Sequence, residues 1–289
     1  MNKRSILRIS LMLSMIMVSA VLGRAQQSNF QIAPAPIAYP YFEPRRTDIK
    51  LTGVYFGIKA TDISIKGGGI NGNFRRSMNE TAAFDAQLGL FGLGGELPGF
   101  ALPFVYSNAL WTPVIDGKAS LSGVSFPLSF NLEIQALNRP GGSLLFFAGP
   151  NMALALLSMV TPYHAQSGVT NAAKTNFTAE MTTFLGGVQG GAQGSVRMGQ
   201  VKVVPFFMTM TQSGSASFSF KHGYSGVRSL VTSSVVDIEP FTVNSFGADI
   251  IIIPWNLSIG TLIQQMSAEK DQQGVKTTIF QLSWHFRGS

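Results

Sequence analysis

The sequence predicts an all-β fold, an up-and-down antiparallel β-barrel of about ten strands that spans a membrane, with eight or twelve strands as alternatives. Three observations predict it. Apolar and polar residues alternate with a period of two over most of the chain after residue 50. Only 12% of the 289 residues are charged, whereas a soluble domain carries about 25%. Short turns alternate with longer polar loops along the chain.

The N-terminal 25 residues have the layout of a secretory signal peptide. Basic residues at positions 3, 4 and 8 precede an apolar run from Ile9 to Leu22, and small residues, Gly23 and Ala25, come just before Gln26. We therefore expect cleavage before Gln26. The alternative is an uncleaved membrane anchor, but this run is shorter than the about 20 residues that a span needs.

Signal-peptide cleavage would lower the net charge of the protein. Residues 1–25 hold four of the 21 basic residues and no acidic residue, so the mature chain keeps 17 basic against 14 acidic residues and its charge falls from +7 to +3. Part of the positive charge of the full chain therefore belongs to the export signal. For this reason we expect no nucleic-acid partner.

Residues 26–50 are rich in proline and predict a periplasmic linker or a short plug segment. Pro34, Pro36, Pro40 and Pro44 block a helix and remove backbone donors that a sheet would need. The barrel domain is accordingly expected over residues 51–289.

Period-two alternation predicts ten strands along this domain. The clearest runs from Val124 to Ala136, where even positions are apolar and odd positions are mostly polar. Residues 204–220 and 280–286 show two such faces as well, and Pro103 weakens the third strand. The predicted strands lie near residues 51–65, 79–93, 98–108, 119–137, 143–160, 177–197, 200–220, 235–253, 256–266 and 275–286.

The connections also fit an up-and-down barrel. Residues 138–142, 198–199 and 254–255 are short turns, whereas residues 161–176, 221–234 and 267–274 are longer and polar. A rival interpretation is a transmembrane helix over residues 144–160. Gly149-Pro150-Asn151 would break such a helix.

The polar faces carry mostly Ser, Thr, Gly, Gln and Asn, which suits a lumen better than the charged surface of a soluble sandwich. We therefore expect the apolar faces to contact lipid, with Phe130 and Phe206 outside and Asn131 and Thr209 inside. A closed barrel of this kind leaves no unpaired backbone in hydrocarbon.

The last strand carries a family resemblance. Thr278–Phe286 is amphipathic and rich in aromatic residues, and the hairpin from Phe126 to Pro150 is similar to one in small outer-membrane barrels. Together with the signal peptide, residues 51–289 resemble the outer-membrane β-barrel superfamily of Gram-negative bacteria. The resemblance implies an outer-membrane location, contact with outer-membrane lipid, and recognition by the barrel-assembly machinery. The implied assembly signal is the apolar face Phe280, Leu282, Trp284 and Phe286.

The polar faces supply the candidate site residues. They could form an internal network of ion pairs and hydrogen bonds, because each buried charge needs a partner, or they could line a narrow water-filled path. About ten strands enclose too little space for a general porin. The candidates are Lys59, Asp85, Gln87, Asn131, Glu133, Gln135, Gln189, Gln193, Arg197, Asp237, Glu239, Asp249 and His285.

Three functions stay open at this point. The first is a narrow pore or uptake route for a small solute, and the second is a closed structural or surface-binding barrel that acts through its long loops. The third is an outer-membrane hydrolase, which could use Asp237 and Glu239 near His222, or Ser283 with His285.

We expect no enzyme activity, because these catalytic patterns are faint. The chain has no cysteine, which excludes disulfides, thiolate catalysis and cysteine metal sites. We expect no cofactor and no metal site either, because no His, Asp and Glu residues have metal-ligand spacing.

Overall fold

A computed structural model describes residues 43, 45–60, 63–97, 104–106, 109–111, 119–139, 141–163, 175–224, 227–266 and 276–288. Ten long strands in this part of the chain form one closed barrel, and two short strands form a separate hairpin. The barrel strands are β1 (Thr47–Ala60), β2 (Ile63–Ser77), β3 (Ala82–Leu97), β6 (Ala119–Arg139), β7 (Gly142–Tyr163), β8 (Thr175–Met198), β9 (Val201–Tyr224), β10 (Val227–Ile252), β11 (Leu257–Met266) and β12 (Lys276–Gly288).

Every strand of the barrel pairs antiparallel with its neighbours along the chain, and β1 pairs with β12 to close the wall. The hairpin of β4 (Phe104–Tyr106) and β5 (Ala109–Trp111) lies in the connection between β3 and β6. This confirms the predicted all-β, up-and-down barrel of ten strands.

The two ends of the barrel differ. At one end Thr47 pairs with Gly288, and short turns connect β2 to β3, β6 to β7, β8 to β9, and β10 to β11. We call this the turn end and the opposite one the loop end. Gly199, in the turn between β8 and β9, has a φ of 63°, which glycine adopts without steric cost. Short turns mark the periplasmic side of a membrane barrel.

The outer face of the wall is apolar over much of its surface. Large side chains such as Phe74, Leu88, Leu132 and Trp284 point outward, and Leu88 is 61% exposed. Apolar side chains on the outside and paired backbone throughout the wall suit a barrel in hydrocarbon.

The strand boundaries differ from the prediction in the first third of the domain. The predicted strand at 51–65 is two strands, β1 and β2, and the predicted linker ends early because β1 begins at Thr47. Glycines at positions 67, 68, 69 and 72 hide the alternation of β2. The predicted third barrel strand, 98–108, is wrong, because Phe104–Tyr106 pairs only within the separate hairpin and the other residues of that range lie outside the described residues.

Two further predictions concern connections and helices. The predicted loop at 221–234 is wrong, because β9 continues to Tyr224 and β10 begins at Val227. The range of the rival helix, 144–160, lies in β7. Among the described residues, no helix is long and apolar enough to cross a membrane.

The faces of β9 are opposite to the prediction. Phe206, Met208 and Met210 are buried inside the barrel, whereas Thr209 and Thr211 are exposed on the outer face. The expectation that Phe206 faces lipid and Thr209 the lumen is therefore wrong. Alternation defines two faces of a strand but not which of them turns inward, and the register of the turn decides this. In β6, by contrast, Asn131 is fully buried while its neighbour Phe130 is partly exposed.

A β-bulge changes the phase of β10. The register with β9 shifts between Ile238 and Phe241, and both of these side chains pack against the inner apolar clusters. Asp237, which lies next to Ile238, therefore points outward. After the bulge, from Phe241 onward, the odd-numbered residues lie on the inner face.

Two inward aromatic rings depend on glycines in the wall. The ring of Phe56 lies over Gly67, and the ring of Phe91 lies over Gly69 and Gly89, where an added Cβ would collide with it. Glycine here leaves the space that the rings occupy. This explains two of the glycines of β2, Gly67 and Gly69.

Candidate functional site: the barrel interior

The loop-side half of the interior is filled by an apolar cluster, which we call the apolar plug. Phe56 and Phe91 are 1% and 0% exposed and lie within it. Its members come from nine of the ten barrel strands, and the partly buried Ile238 packs against it from the tenth, β10. The plug consists of Val54, Phe56, Ile65, Phe91, Leu93, Leu121, Leu157, Met159, Ala179, Met181, Phe206, Ala216, Phe218, Leu262 and Ile279.

A second apolar cluster lies beside the plug on the inner faces of β7, β9, β10 and β11. It contains Phe147, Met208, Met210, Val243 and Met266. The sequence predicted that polar side chains of β9 would point into this part of the interior. Close-packed apolar side chains fill it instead.

The turn-side half carries buried charges, which we call the ionic floor. Its members are Asp48, Lys50, Arg75, Glu133 and Asp249. Lys50 Nζ lies 3.1 Å from Asp249 Oδ2, and Arg75 Nη2 donates to Asp48 Oδ2 at 2.6 Å. Arg75 Nη1 also lies 3.8 Å from Glu133 Oε2. Buried charges of this kind are tolerated because each faces an opposite charge.

The pair Lys50–Asp249 crosses the interior. Lys50 belongs to β1 and Asp249 to β10, and β11 and β12 lie between these two strands in the wall. Both side chains are fully buried, and Gln281 of β12 donates a further hydrogen bond to the Asp249 carboxylate. The ionic floor thus connects strands that are not neighbours in the wall.

Amide side chains form a second set of bonds that skip a strand. Gln189 of β8 donates to Asn131 of β6 at 2.9 Å, and Gln212 of β9 donates to Asn151 of β7 at 2.5 Å. Asn131 Nδ2 in turn lies 3.4 Å from Asp85 Oδ1. These contacts link the polar faces of β3, β6, β7, β8 and β9 inside the wall.

The histidine of the last strand bonds to a serine that the sequence did not single out. His285 Nε2 and Ser258 Oγ are 2.9 Å apart, and both residues are buried. Ser283, the suggested partner of His285, instead lies 3.0 Å from Thr52 Oγ1 of β1. The two residues of the suggested pair thus hydrogen-bond to side chains of different strands.

The structure brings most of the candidate residues together inside the barrel. Buried there are Asp85, Gln87, Asn131, Glu133, Gln135, Gln189, Gln193, Asp249 and His285. Whether these groups line a conducting lumen stays a prediction. The side chain of Lys59 lies outside the described residues.

Three candidates lie elsewhere. Arg197, Asp237 and Glu239 are exposed, so the expectation that they line the interior is wrong. Arg197 is next to the β8–β9 turn, where its Nε donates to the carbonyl oxygen of Gly199 at 3.0 Å. Asp237 points outward and Glu239 lies in the bulge, so neither carboxylate is on the inner face.

Sequence reasoning missed three members of the ionic floor. Asp48 and Lys50 fell within the predicted linker, and Arg75 followed the glycines of β2. Their spacing by two, with apolar Ile49 between Asp48 and Lys50, was the signal that could have revealed them. Among the described residues, no group of three or more His, Asp or Glu side chains could hold a metal ion.

Comparisons with known proteins give similarity at the level of the barrel. No family model matches the sequence, and no curated protein matches it. The outer membrane protease OmpT from Escherichia coli has a TM-score of 0.48 and 11% identity, over 85% of this chain and 98% of that chain. The translocator domain of the autotransporter NalP from Neisseria meningitidis has a TM-score of 0.35 and 8% identity, over 98% and 99%.

A major outer membrane protein from Thermus thermophilus has a TM-score of 0.34 and 12% identity, over 83% of this chain and 99% of that chain. TM-scores and identities this low carry no argument about activity or ligand.

The class of the protein follows from its own geometry. A closed antiparallel wall with an apolar outer face and short turns at one end is an outer-membrane β-barrel.

Proposed function

We propose that the protein is a closed outer-membrane barrel with a structural or surface-binding role, and that it acts through its loops and outer wall. The observation that carries this proposal is the apolar plug, which side chains of nine strands form and against which Ile238 of the tenth packs. A water column would have to pass between side chains that are already in contact. Apolar constrictions also exclude water because they offer it no hydrogen bonds.

The ionic floor supports the same proposal from the other end. The contact between Lys50 and Asp249 joins β1 to β10 across the interior. An ion entering from the turn end would meet this pair and then the apolar plug. Two barriers of different chemistry in series oppose both polar and apolar solutes.

Planar-bilayer recording of the refolded mature chain tests the proposal. We expect the wild-type protein to give no stable conductance steps. A double variant, Phe56→Ser with Phe91→Ser, is expected to give steps because it removes two rings of the plug. Phe74→Ser, which changes an outward ring, is the matched control and should stay silent.

Two results would contradict a closed barrel. One is stable conductance steps from the wild-type protein. The other is silence of the double variant when its heat-dependent gel shift shows a folded barrel, because the plug would then not be the barrier.

A second candidate function is a gated uptake route for a small apolar solute. The apolar lining of the loop-side half favours this class of solute over ions or sugars. Uptake of a small aromatic hydrocarbon into protein-loaded vesicles measures it. Faster uptake than in empty vesicles, without ionic conductance, would favour this route over a purely structural or surface-binding barrel.

A further inference from the structure

The outer wall carries a polar patch at a place where lipid is expected. It consists of Thr209, Thr211 and Ser213 of β9 and Thr242 and Asn244 of β10. The three β9 side chains are exposed and the two β10 side chains are half-buried. Thr211 Oγ1 and Thr242 Oγ1 are 3.3 Å apart, so the patch is continuous across the two strands.

The height of the patch follows from strand length. A strand crosses the hydrocarbon with about 9–11 residues, and Thr209 and Thr211 are the ninth and eleventh residues of β9 counted from Val201 at the turn end. Below the patch, the outward residues of β9 up to Phe207 are apolar. Thr209 and Thr211 therefore lie within or at the upper edge of the membrane.

Neighbouring β8 has a taller apolar outer face. Phe184 of β8 is 53% exposed and pairs with Ser215 of β9, which lies beyond the patch. On β10 the polar residues Asn244 and Thr242 follow the outward Phe246, and exposed apolar residues occur again beyond the patch, at Val236 and Val235. The apolar wall is thus interrupted at β9 and β10, whereas beside Thr211 the outer face of β8 carries the exposed Val188.

Lipid alone does not suit this patch. Hydroxyl and amide groups have more hydrogen-bonding capacity than one bond such as Thr211–Thr242 uses, and capacity left unused in hydrocarbon is costly. The patch contains no charged residue, so it offers nothing specific to a phosphate or an amine of a lipid headgroup. Its groups are neutral, and each of them both donates and accepts hydrogen bonds.

We propose that the polar patch is the contact surface between two copies of this barrel. Two copies inserted in the same orientation hold the patch at the same height, so a two-fold axis along the membrane normal brings like residues together. Hydroxyl and amide groups can pair with their own kind, which makes the surface self-complementary. The exposed rings of Phe207 and Phe246 can add apolar contact below it.

Association would also remove the patch from lipid. A hydroxyl or amide group that pairs with its counterpart on the second copy no longer lacks a partner in the hydrocarbon. This inference goes beyond the proposed function, because a barrel can pair with a second copy whether its interior is closed or conducts.

Cysteine crosslinking in native outer membranes tests the proposal. The chain contains no cysteine, so Thr211→Cys introduces a single thiol at the centre of the patch. Leu88→Cys is the control, since Leu88 is 61% exposed on the outer face of β3. On oxidation we expect a disulfide-linked band of twice the mass for Thr211→Cys and little or none for Leu88→Cys.

A second pair of variants separates contact from chance collision. Asn244→Leu, placed in the Thr211→Cys background, removes an amide of the patch and should lower the crosslinking yield roughly tenfold. Leu90→Ile in the same background changes an outward apolar residue of β3 and should leave the yield unchanged. The heat-dependent gel shift verifies that each variant is folded.

Three outcomes would overturn the proposal. They are a monomer for Thr211→Cys, equal dimer yields at positions 211 and 88, and crosslinking of position 211 only to a different protein. Dimer yield that does not change with Asn244→Leu in a folded barrel would also contradict it.

Discussion

Breaking the charge pair that crosses the interior should destabilise the barrel strongly. The change is Lys50→Met, which keeps a long apolar stem and removes the ammonium group. Lys50 Nζ lies 3.1 Å from Asp249 Oδ2, and both side chains are fully buried. The variant therefore leaves the Asp249 carboxylate inside the wall with the Gln281 amide as its remaining side-chain donor in the structure.

The magnitude follows from the burial of both partners. Removing one member of a buried ion pair typically costs about 3–5 kcal/mol, because the other charge stays buried without compensation. We therefore expect Lys50→Met to lower the free energy of unfolding by about that amount. An exposed lysine gives the control, since Lys66→Met on the outer face should change it by less than about 0.5 kcal/mol.

A double variant isolates the charge from the packing. Lys50→Met combined with Asp249→Asn removes both charges and keeps a group that can accept from Gln281. It should recover most of the lost stability, because replacing both members of a buried ion pair by neutral groups often changes the free energy of unfolding little. The expected coupling between the two positions is about 2 kcal/mol or more.

Urea unfolding of the refolded barrel in detergent measures these values. Tryptophan fluorescence and the heat-dependent gel shift should report the same transition for each variant. A loss below about 1 kcal/mol for Lys50→Met would refute the reasoning, since the charge would then not be confined to the interior. A double variant as unstable as the sum of the two single variants would refute it as well.

Three other predictions concern the wall. Removing residues 280–289 should block barrel assembly while leaving export intact, because it removes most of the closing strand and the proposed assembly signal; a compact unheated gel band would contradict this. Ile134→Arg, at an outward position nearer the middle of the membrane, should cost about 2–4 kcal/mol in urea unfolding and Ser120→Arg, at the loop end, about 0–1; equal costs would contradict the depth assignment. Spin labels at Phe207 should be quenched by a lipid-dissolved agent and labels at Phe206 should not; the opposite result would restore the faces expected from the sequence.

The sequence predicted the class of fold because alternation is a local signal. The pattern of residues 124–136 depends only on the pleat of one strand, and β6 shows it as expected. Strand number came out right partly through compensating errors, since β1 and β2 were joined into one strand and residues 98–108 were counted as another. Glycines of β2 carry no apolar signal, and their role depends on rings contributed by β1 and β3.

The candidate site was less predictable because it depends on contacts between distant strands. Lys50 and Asp249 are 199 positions apart and lie on strands that do not pair with each other. Nothing in the local sequence of either strand indicates this partner. The excluded linker hid Lys50 altogether, although its alternation with Ile49 and Leu51 continues the pattern of β1 without a break.

The reversed faces of β9 connect the interior to the outer wall. A strand that places Phe206, Met208 and Met210 inside must place its intervening residues outside, because side chains alternate across the sheet. Lipid contact alone would favour apolar residues at those outer positions, as on β8. Thr209 and Thr211 are there instead, so the outer face of β9 is explained by something other than lipid. A filled interior and a polar outer patch on the same strand are therefore consistent with a barrel that binds its partners through its outer wall, within the membrane, and not through its lumen.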